Sequence, residues 1–303
     1  MLPTHFKEDK MKKIIIFILF LFSLSHFAEI NAVCTLPWIK NILSEIGSDK
    51  IQVSSLVKPD EDPHYVEPKP SMLIVVRKAD ILFYNGLDLE IGYLPRIIES
   101  SNNPKVQPGR EGNVDLSQFL KPIEKPSSYD RSMGDVHPLG NPHYYYSPQN
   151  IKEVAKGITK ILSKMDLSNS DFYRKNLENF LQKVSIKEEE WKKLNLKDKK
   201  IITYHKFLNY LSNEYDFQIV TEIEPKPGIP PSAKYLSTLL EILKTNKINL
   251  IIITNVVGEK EANYLSQKSG VKVKIVAIDV GGKEEAKDLI SLIDSILKAV
   301  GEA

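Results

Sequence analysis

Short apolar runs alternate with amphipathic stretches along this chain, and this alternation constrains its fold more than any other feature. In the first half the candidate strands are residues 30–34, 51–57, 81–86 and 105–107. In the second half they are residues 200–205, 217–220, 250–254 and 274–279. The stretches between them are predicted helices, at residues 37–46, 71–78, 93–100, 206–215, 233–245, 259–269 and 283–300. The pattern predicts an α/β fold of two lobes, each with a parallel-type sheet flanked by helices.

A long stretch without glycine or proline, residues 166–224, separates the two halves. Apolar residues such as Phe172, Phe180 and Trp191 recur in it at helical spacing. We expect a helix from about residue 168 to 194, which would be roughly 40 Å long. The predicted plan is an N-terminal α/β lobe at 29–166, a long rigid backbone helix at 167–196 that joins the lobes, and a C-terminal α/β lobe at 197–303.

Residues 1–28 have the pattern of a signal peptide. A lysine pair at 12–13 precedes an apolar run from Ile14 to Leu24, which is too short for a full membrane crossing. The sequence therefore predicts export to the periplasm or another extracytoplasmic location. The alternative is an anchor helix that stays in place.

The single cysteine, Cys34, cannot form an internal disulfide. Its position shortly after the leader raises the possibility of lipid attachment, but the preceding residues do not form a good lipobox. Val33 stands where a small residue is needed, and Asn31 stands two positions earlier. We expect no lipid anchor and place Cys34 in a buried first strand.

The charge balance argues against nucleic-acid binding. Residues 1–28 contain four lysines and two acidic residues, and subtracting them from the totals of 41 and 39 leaves 37 of each sign. A neutral chain without a basic run lacks the charge that binds phosphate backbones.

Four of the six histidines lie after residue 28, and they are His64, His137, His143 and His205. His205 ends one predicted strand and Asp279 ends another, and ligands in open α/β sheets gather at such strand ends. Three imidazoles with one carboxylate would suit Zn²⁺, and binding should weaken below about pH 6.5. A single histidine in a loop, however, is usually an ordinary surface residue, so spacing alone does not establish a site.

Four stretches of the chain carry a family resemblance: "VKPDEDPHYVEPKPS" with His64, "GNPHYYYSPQN" with His143, "ITYHKFLNYLSNEYDF" with His205 and "KVKIVAIDVGG" with Asp279. Together they resemble the metal-binding proteins of bacterial ABC importers for zinc and manganese, the ZnuA/TroA-like (cluster A-I) family. The likeness runs in the same order from about residue 30 to residue 300.

The resemblance implies that His64, His143, His205 and Asp279 bind a transported metal ion. It implies Zn²⁺ as the ligand, with Mn²⁺ possible, because manganese members tend to have glutamate where His205 stands. The implied partner is an ABC transporter membrane permease, the implied state is a monomer, and no enzymatic reaction is expected. We expect the loop around His143 to be exposed and His137 to be a solvated loop residue. The alternatives for His137 are a residue behind the ligands, a residue of a flap over the site, or an additional partner for a visiting metal ion.

The chain departs from the family pattern at three points. It has Tyr145 in place of a tryptophan and Asp216 in place of a glycine, and residues 108–136 contain no histidine-rich loop. The alternatives are a manganese- or iron-binding protein of the same architecture, a surface adhesin, and a zinc hydrolase. The adhesin and the hydrolase are less favoured than the manganese- or iron-binding protein. Against the hydrolase, the sequence lacks an HExxH motif, and four protein ligands would leave no open position for water.

Overall fold

The first half of the chain builds a sheet with the strand order β2-β1-β3-β4. The computed structural model describes residues 29–128 and 137–303. The strands are β1 (Ile30–Cys34), β2 (Ile51–Ser55), β3 (Ile81–Tyr84) and β4 (Asn113–Asp115). β3 pairs in parallel with both β1 and β4. β3 and residues 32–34 of β1 form continuous apolar runs because both faces of a parallel sheet are covered.

The helices of this half are α1 (Pro37–Gly47), α2 (Pro70–Arg77) and α3 (Leu94–Ser101). Each has a proline in its first turn, where the missing N–H costs nothing and the fixed φ suits a helix. The apolar face of α1 is buried at Trp38, Ile42 and Ile46.

The second half repeats the arrangement, with the strand order β6-β5-β7-β8 and every neighbouring pair parallel. Its strands are β5 (Lys200–Thr203), β6 (Gln218–Glu222), β7 (Leu250–Thr254) and β8 (Lys272–Val276). Its helices are α6 (Asn209–Tyr215), α7 (Ala233–Thr245), α8 (Glu259–Ser269) and α9 (Leu289–Gly301). The predicted α/β fold of two sheets flanked by helices is confirmed.

Along the chain, two helices separate the strands of the first sheet from those of the second. They are α4 (Pro148–Met165) and α5 (Ser170–Trp191). The 22 residues of α5 make it about 33 Å long, a few residues shorter than predicted. α5 touches both halves: the Asn176 amide donates to the carbonyl of Ile46 at 2.9 Å, and Trp191 Nε1 donates to Asp294 Oδ1 at 2.9 Å. These contacts join α5 to α1 and α9, within the compact unit formed by residues Asn31–Ala303.

The predicted strand at residues 105–107 is wrong. Val106 is buried, but its N–H donates to the carbonyl of Asn103 in a turn between Pro104 and Pro108. The fourth strand forms a few residues later, at Asn113–Asp115. An apolar residue flanked by two prolines fits a turn better than a sheet position, because proline cannot donate to the ladder.

Two predicted helices begin later than expected. The last one starts at Leu289 rather than at residue 283, because Asp288 and Ser291 form a reciprocal capping box there. The other starts at Asn209 rather than at 206, because the N–H of Phe207 turns back to the carbonyl of His205. His205 therefore lies in the turn between β5 and α6 and not in the helix.

The predicted signal peptide at residues 1–28 lies outside the described residues. Within residues 29–128 and 137–303, the helices fall short of the length and apolar character needed to cross a bilayer. Cys34 is fully buried in β1, as predicted, and burial raises the pKa of its thiol.

Candidate metal centre

Four imidazole rings meet between the two sheets. The ligand-capable atoms of His64, His137, His143 and His205 all lie within 4.8 Å of one another. Nε2 of His64 is 3.3 Å from Nε2 of His137, and Nε2 of His143 is 3.0 Å from Nε2 of His205. The structure thus brings together three of the residues expected as ligands, and it adds His137.

His64 is fixed by Asp62 in a short helical turn after β2. Asp62 Oδ1 accepts the His64 backbone N–H at 3.0 Å and lies 2.7 Å from its ring Nδ1. Pro63 between them is buried and sets the start of the turn. Because the carboxylate occupies Nδ1, the Nε2 edge of the ring faces the other histidines.

His143 is held by the strand ends of the first sheet. Asn85, just after β3, donates to the carbonyl of Pro142 at 3.1 Å and accepts from the hydroxyl of Tyr144 at 2.5 Å. The His143 N–H donates to Asn141 Oδ1 at 2.9 Å. His143 is only 3% exposed, so the expectation of an exposed loop is wrong at this residue.

The three consecutive tyrosines explain why this loop is buried. Tyr144, Tyr145 and Tyr146 are each 0–1% exposed. The hydroxyls of Tyr145 and Tyr146 donate to the carbonyl of Ile278 after β8, at 3.3 and 2.7 Å, while Tyr144 reaches the first sheet. Trp38 stacks on Tyr145 with ring centroids 5.5 Å apart. The tyrosine turn therefore ties the strand ends of both sheets to the histidine cluster.

His205 follows β5 and is paired with Glu224, which follows β6. The Glu224 carboxylate meets Nδ1 of His205 and also accepts the Gly228 N–H at 3.2 Å. Glu224 is only 7% exposed. The pairing of His205 with Glu224 has no signature in the local sequence, because it depends on the parallel pairing of β5 with β6. Asp62, two residues before His64, was recognisable as a capping residue.

His137 and His143 are strongly biased towards the neutral form. Burial, with the neighbouring His64 and His205, lowers the pKa of His137 to about 3. Burial and the other three imidazoles lower the pKa of His143 well below its ordinary value. Nδ1 of His143 is buried and has no hydrogen-bond partner among the described residues. Neutral imidazoles keep the lone pairs that a metal ion requires.

Asp62 is biased towards the carboxylate form. Burial favours its protonation, but the hydrogen bond and the charge of His64 outweigh burial and hold the Asp62 pKa below its usual value. A carboxylate on the outer nitrogen orients the ring and makes the inner nitrogen a better electron donor.

Asp279 does not join the group of four among the described residues. Its Oδ1 accepts the N–H of Val280 at 2.6 Å, and the backbone N–H of Trp38 also bonds to its carboxyl group. Burial raises the Asp279 pKa well above its ordinary value. The side chain is thus engaged at the N-terminus of α1.

Cavities border the cluster on two sides. One of about 150 Å³ is lined by Tyr65, Pro230 and the rings of His64, His143 and His205. Another of about 120 Å³ is lined by Glu124, Lys206 and the rings of His137, His143 and His205. The imidazoles are therefore reachable by a small ion. Clustered nitrogen donors suit Zn²⁺ and other borderline metals better than Mg²⁺ or Ca²⁺, which prefer oxygen.

Comparison with known proteins gives a family match over nearly the whole described chain. The sequence model of the family described as "Zinc-uptake complex component A periplasmic", ZnuA, matches residues 32–303. Among solved structures, a crystal structure of ZnuA aligns with a TM-score of 0.76 and 25% identity, covering 90% of this chain and 98% of that one. The two-lobe arrangement is therefore that of known metal-binding proteins.

Similar curated proteins differ in the metal for which they are named. The manganese ABC transporter substrate-binding lipoprotein PsaA of Streptococcus pneumoniae is 27% identical over 290 residues, which cover 90% of this chain and 88% of that protein. The zinc-binding lipoprotein AdcA of Streptococcus pneumoniae serotype 4 (strain ATCC BAA-334 / TIGR4) is 24% identical over 278 residues, which cover 90% of this chain and 55% of that longer protein. Relatedness alone does not select the metal.

Proposed function

This chain belongs to the ZnuA family of zinc-uptake components, and on that premise we propose that it captures Zn²⁺ outside the cytoplasm and delivers it to the membrane permease of an ABC importer. It is a metal-binding substrate-binding protein of such a transporter. The choice of zinc, the permease as partner and the monomeric state are the proposed parts.

The observation that carries the proposal is the convergence of His64, His143 and His205, which come from loops of both sheets. Their shared neighbourhood is partly buried and bordered by cavities. A transported ion needs such a site because several protein donors must replace its water ligands and later release it.

The donor type supports zinc as the transported metal. Imidazole nitrogen is a borderline ligand that suits Zn²⁺, whereas carboxylate and water suit Mn²⁺. A manganese protein of the same architecture is the second candidate, because PsaA is named for manganese. The nitrogen-rich donor set argues against it, and the same measurement tests both.

The proposed location is the periplasm or another extracytoplasmic space. The matching family is described as periplasmic, and the curated relatives PsaA and AdcA are named lipoproteins. In this chain the single cysteine is fully buried in β1. Acylation of Cys34 would require that this central strand leave its sheet, so we propose that Cys34 carries no lipid in the folded protein.

We propose that the bound metal is cargo and not a catalyst. A catalytic zinc site keeps an open position and a free general base beside it. Two carboxylates next to the cluster, Asp62 and Glu224, are engaged with imidazole nitrogens. A third, Glu124, lines the smaller cavity and accepts from the side-chain amides of Asn141 and Asn209. Each of the three is thus held by a protein partner.

Native mass spectrometry of the exported chain, mixed with equal excesses of Zn²⁺ and Mn²⁺, tests the proposal. We expect the mass of one chain with one zinc ion. His143→Ala should abolish zinc retention while metal-free circular dichroism stays unchanged. Retention of manganese instead of zinc would overturn the choice of metal, and unchanged zinc retention by His143→Ala would overturn the site.

A further inference from the structure

We propose that the ion is held by four imidazole nitrogens, with His137 as the fourth ligand, while Asp279 stays outside the coordination sphere. This inference rests on the proposed function, because it concerns the ligand set of the same metal site. In this ligand set the four groups that bind the ion are uncharged imidazoles, and Asp279 has a structural task.

The spacing of the rings fits one tetrahedral ion. Four nitrogens at 2.0–2.1 Å from such an ion lie about 3.3 Å from one another. The Nε2 atoms of His64 and His137 are 3.3 Å apart, and those of His143 and His205 are 3.0 Å apart. All four ligand atoms lie within 4.8 Å of one another, so His137 belongs to the same group of donors as the other three imidazoles.

The hydrogen bonds on the outer nitrogens make the inner ones available. Asp62 contacts Nδ1 of His64, and Glu224 contacts Nδ1 of His205. A carboxylate that accepts from Nδ1 leaves Nε2 of the same ring as the nitrogen that can bind a metal ion. These two Nε2 atoms lie 3.3 Å from Nε2 of His137 and 3.0 Å from Nε2 of His143, respectively.

Charge compensation is already present behind the ligands. The carboxylates of Asp62 and Glu224 lie directly behind the two rings and can offset the two charges of a divalent ion. Carboxylates placed there also orient metal-bound histidines in general. A coordinating carboxylate from Asp279 is therefore not needed for electrical balance.

Asp279 has a separate task at the N-terminus of α1. That helix begins after Leu36, which offers no side-chain cap, and its first turn contains no acidic residue. The carboxyl group of Asp279, after β8, bonds to the Trp38 N–H in this first turn. Because unpaired N–H groups at a helix start are costly when buried, Asp279 stabilises α1 and links it to the second sheet.

Zinc X-ray absorption, together with two variants and a matched control for each, tests the assignment. For the wild-type chain we expect four nitrogen neighbours at about 2.0 Å with the scattering of four imidazoles. His137→Ala should weaken zinc binding at least about 100-fold, more than a residue behind the ligands would cost. Leu139→Ala, two residues away and 47% exposed, controls for disturbance of the loop and should change binding less than about twofold.

Asp279→Ala should leave zinc affinity within about threefold and lower the melting temperature of the metal-free chain. Asp288→Ala, at the capped start of α9, is its matched control and should lower the melting temperature similarly, because alanine cannot cap a helix. Three imidazoles plus one oxygen in the absorption spectrum, or a large affinity loss in Asp279→Ala with none in His137→Ala, would overturn the inference. Unchanged binding in His143→Ala would instead overturn the proposed function.

Discussion

Nε2 of His143 lies 3.0 Å from Nε2 of His205, although 62 residues separate them in the chain. His143 is held by the strand ends of the first sheet through Asn85, and His205 by the second sheet through Glu224. A metal ion bound at this point contacts both sheets at once. Ion binding and the relative position of the sheets are therefore energetically linked.

Asp62→Asn should weaken zinc binding by about 10–100-fold, because the carboxylate orients the ring of His64 and strengthens its inner nitrogen as a donor. Isothermal titration with a competing chelator measures this change. Asp60→Asn, two residues earlier and exposed, is the matched control and should bind zinc like the wild type. Equal losses in the two variants would show that general surface charge matters and that the contact with His64 does not.

Glu90 should make the metal-free chain less stable as the pH rises. Burial raises the pKa of its carboxyl to about 7, despite hydrogen bonds from Thr35, Asn85 and Gly86. In the unfolded chain the pKa returns to about 4.3, so between these values the unfolded chain loses a proton that the folded chain keeps. The contribution is complete below about pH 4.3 and is lost as the pH approaches 7, by about 3 kcal/mol.

Urea unfolding from pH 4.5 to pH 8 measures this effect as the difference between the wild type and Glu90→Gln. The variant cannot ionise, so its free energy of unfolding should fall less steeply over this range. Glu99→Gln on the surface of α3 should keep the wild-type slope. Parallel slopes for the wild type and Glu90→Gln would contradict the assignment.

Zinc release should loosen the ligand loops without opening the molecule around α5. This helix contacts both α1 and α9, so wide movement of the sheets would have to break its packing. In hydrogen exchange, removal of zinc should speed the amides around His64, His143 and His205 about tenfold or more and leave α5 within about twofold. Faster exchange along α5 itself would indicate a hinge opening instead.

Much of the fold could be predicted because local patterns and tertiary structure agree. Strands β1 and β7 have their predicted bounds, and so do helices α7 and α8. The strand predicted around Val106 failed because burial alone does not distinguish a turn between prolines from a strand. The predicted helix starts were wrong where a local hydrogen bond, as at Asp288, determines the boundary.

The site was predictable only in part. His64, His143 and His205 could be named from motif resemblance, because their loops have recognisable residues around the ligand. His137 has no such context, and its place beside His64, 73 residues away in the chain, depends on tertiary packing. Asp279 was expected as a ligand, yet its contacts with Trp38 and Val280 arise from packing that no local pattern encodes.

A crystal structure of the zinc-loaded chain, with anomalous data at the zinc absorption edge, would locate the bound ion itself. We expect one strong anomalous peak within about 2.0–2.1 Å of the Nε2 atoms of His64, His143 and His205. The distance from that peak to His137 and to Asp279 then identifies the fourth ligand. A peak elsewhere, or none between the two sheets, would contradict the assignment of these histidines as the transport site.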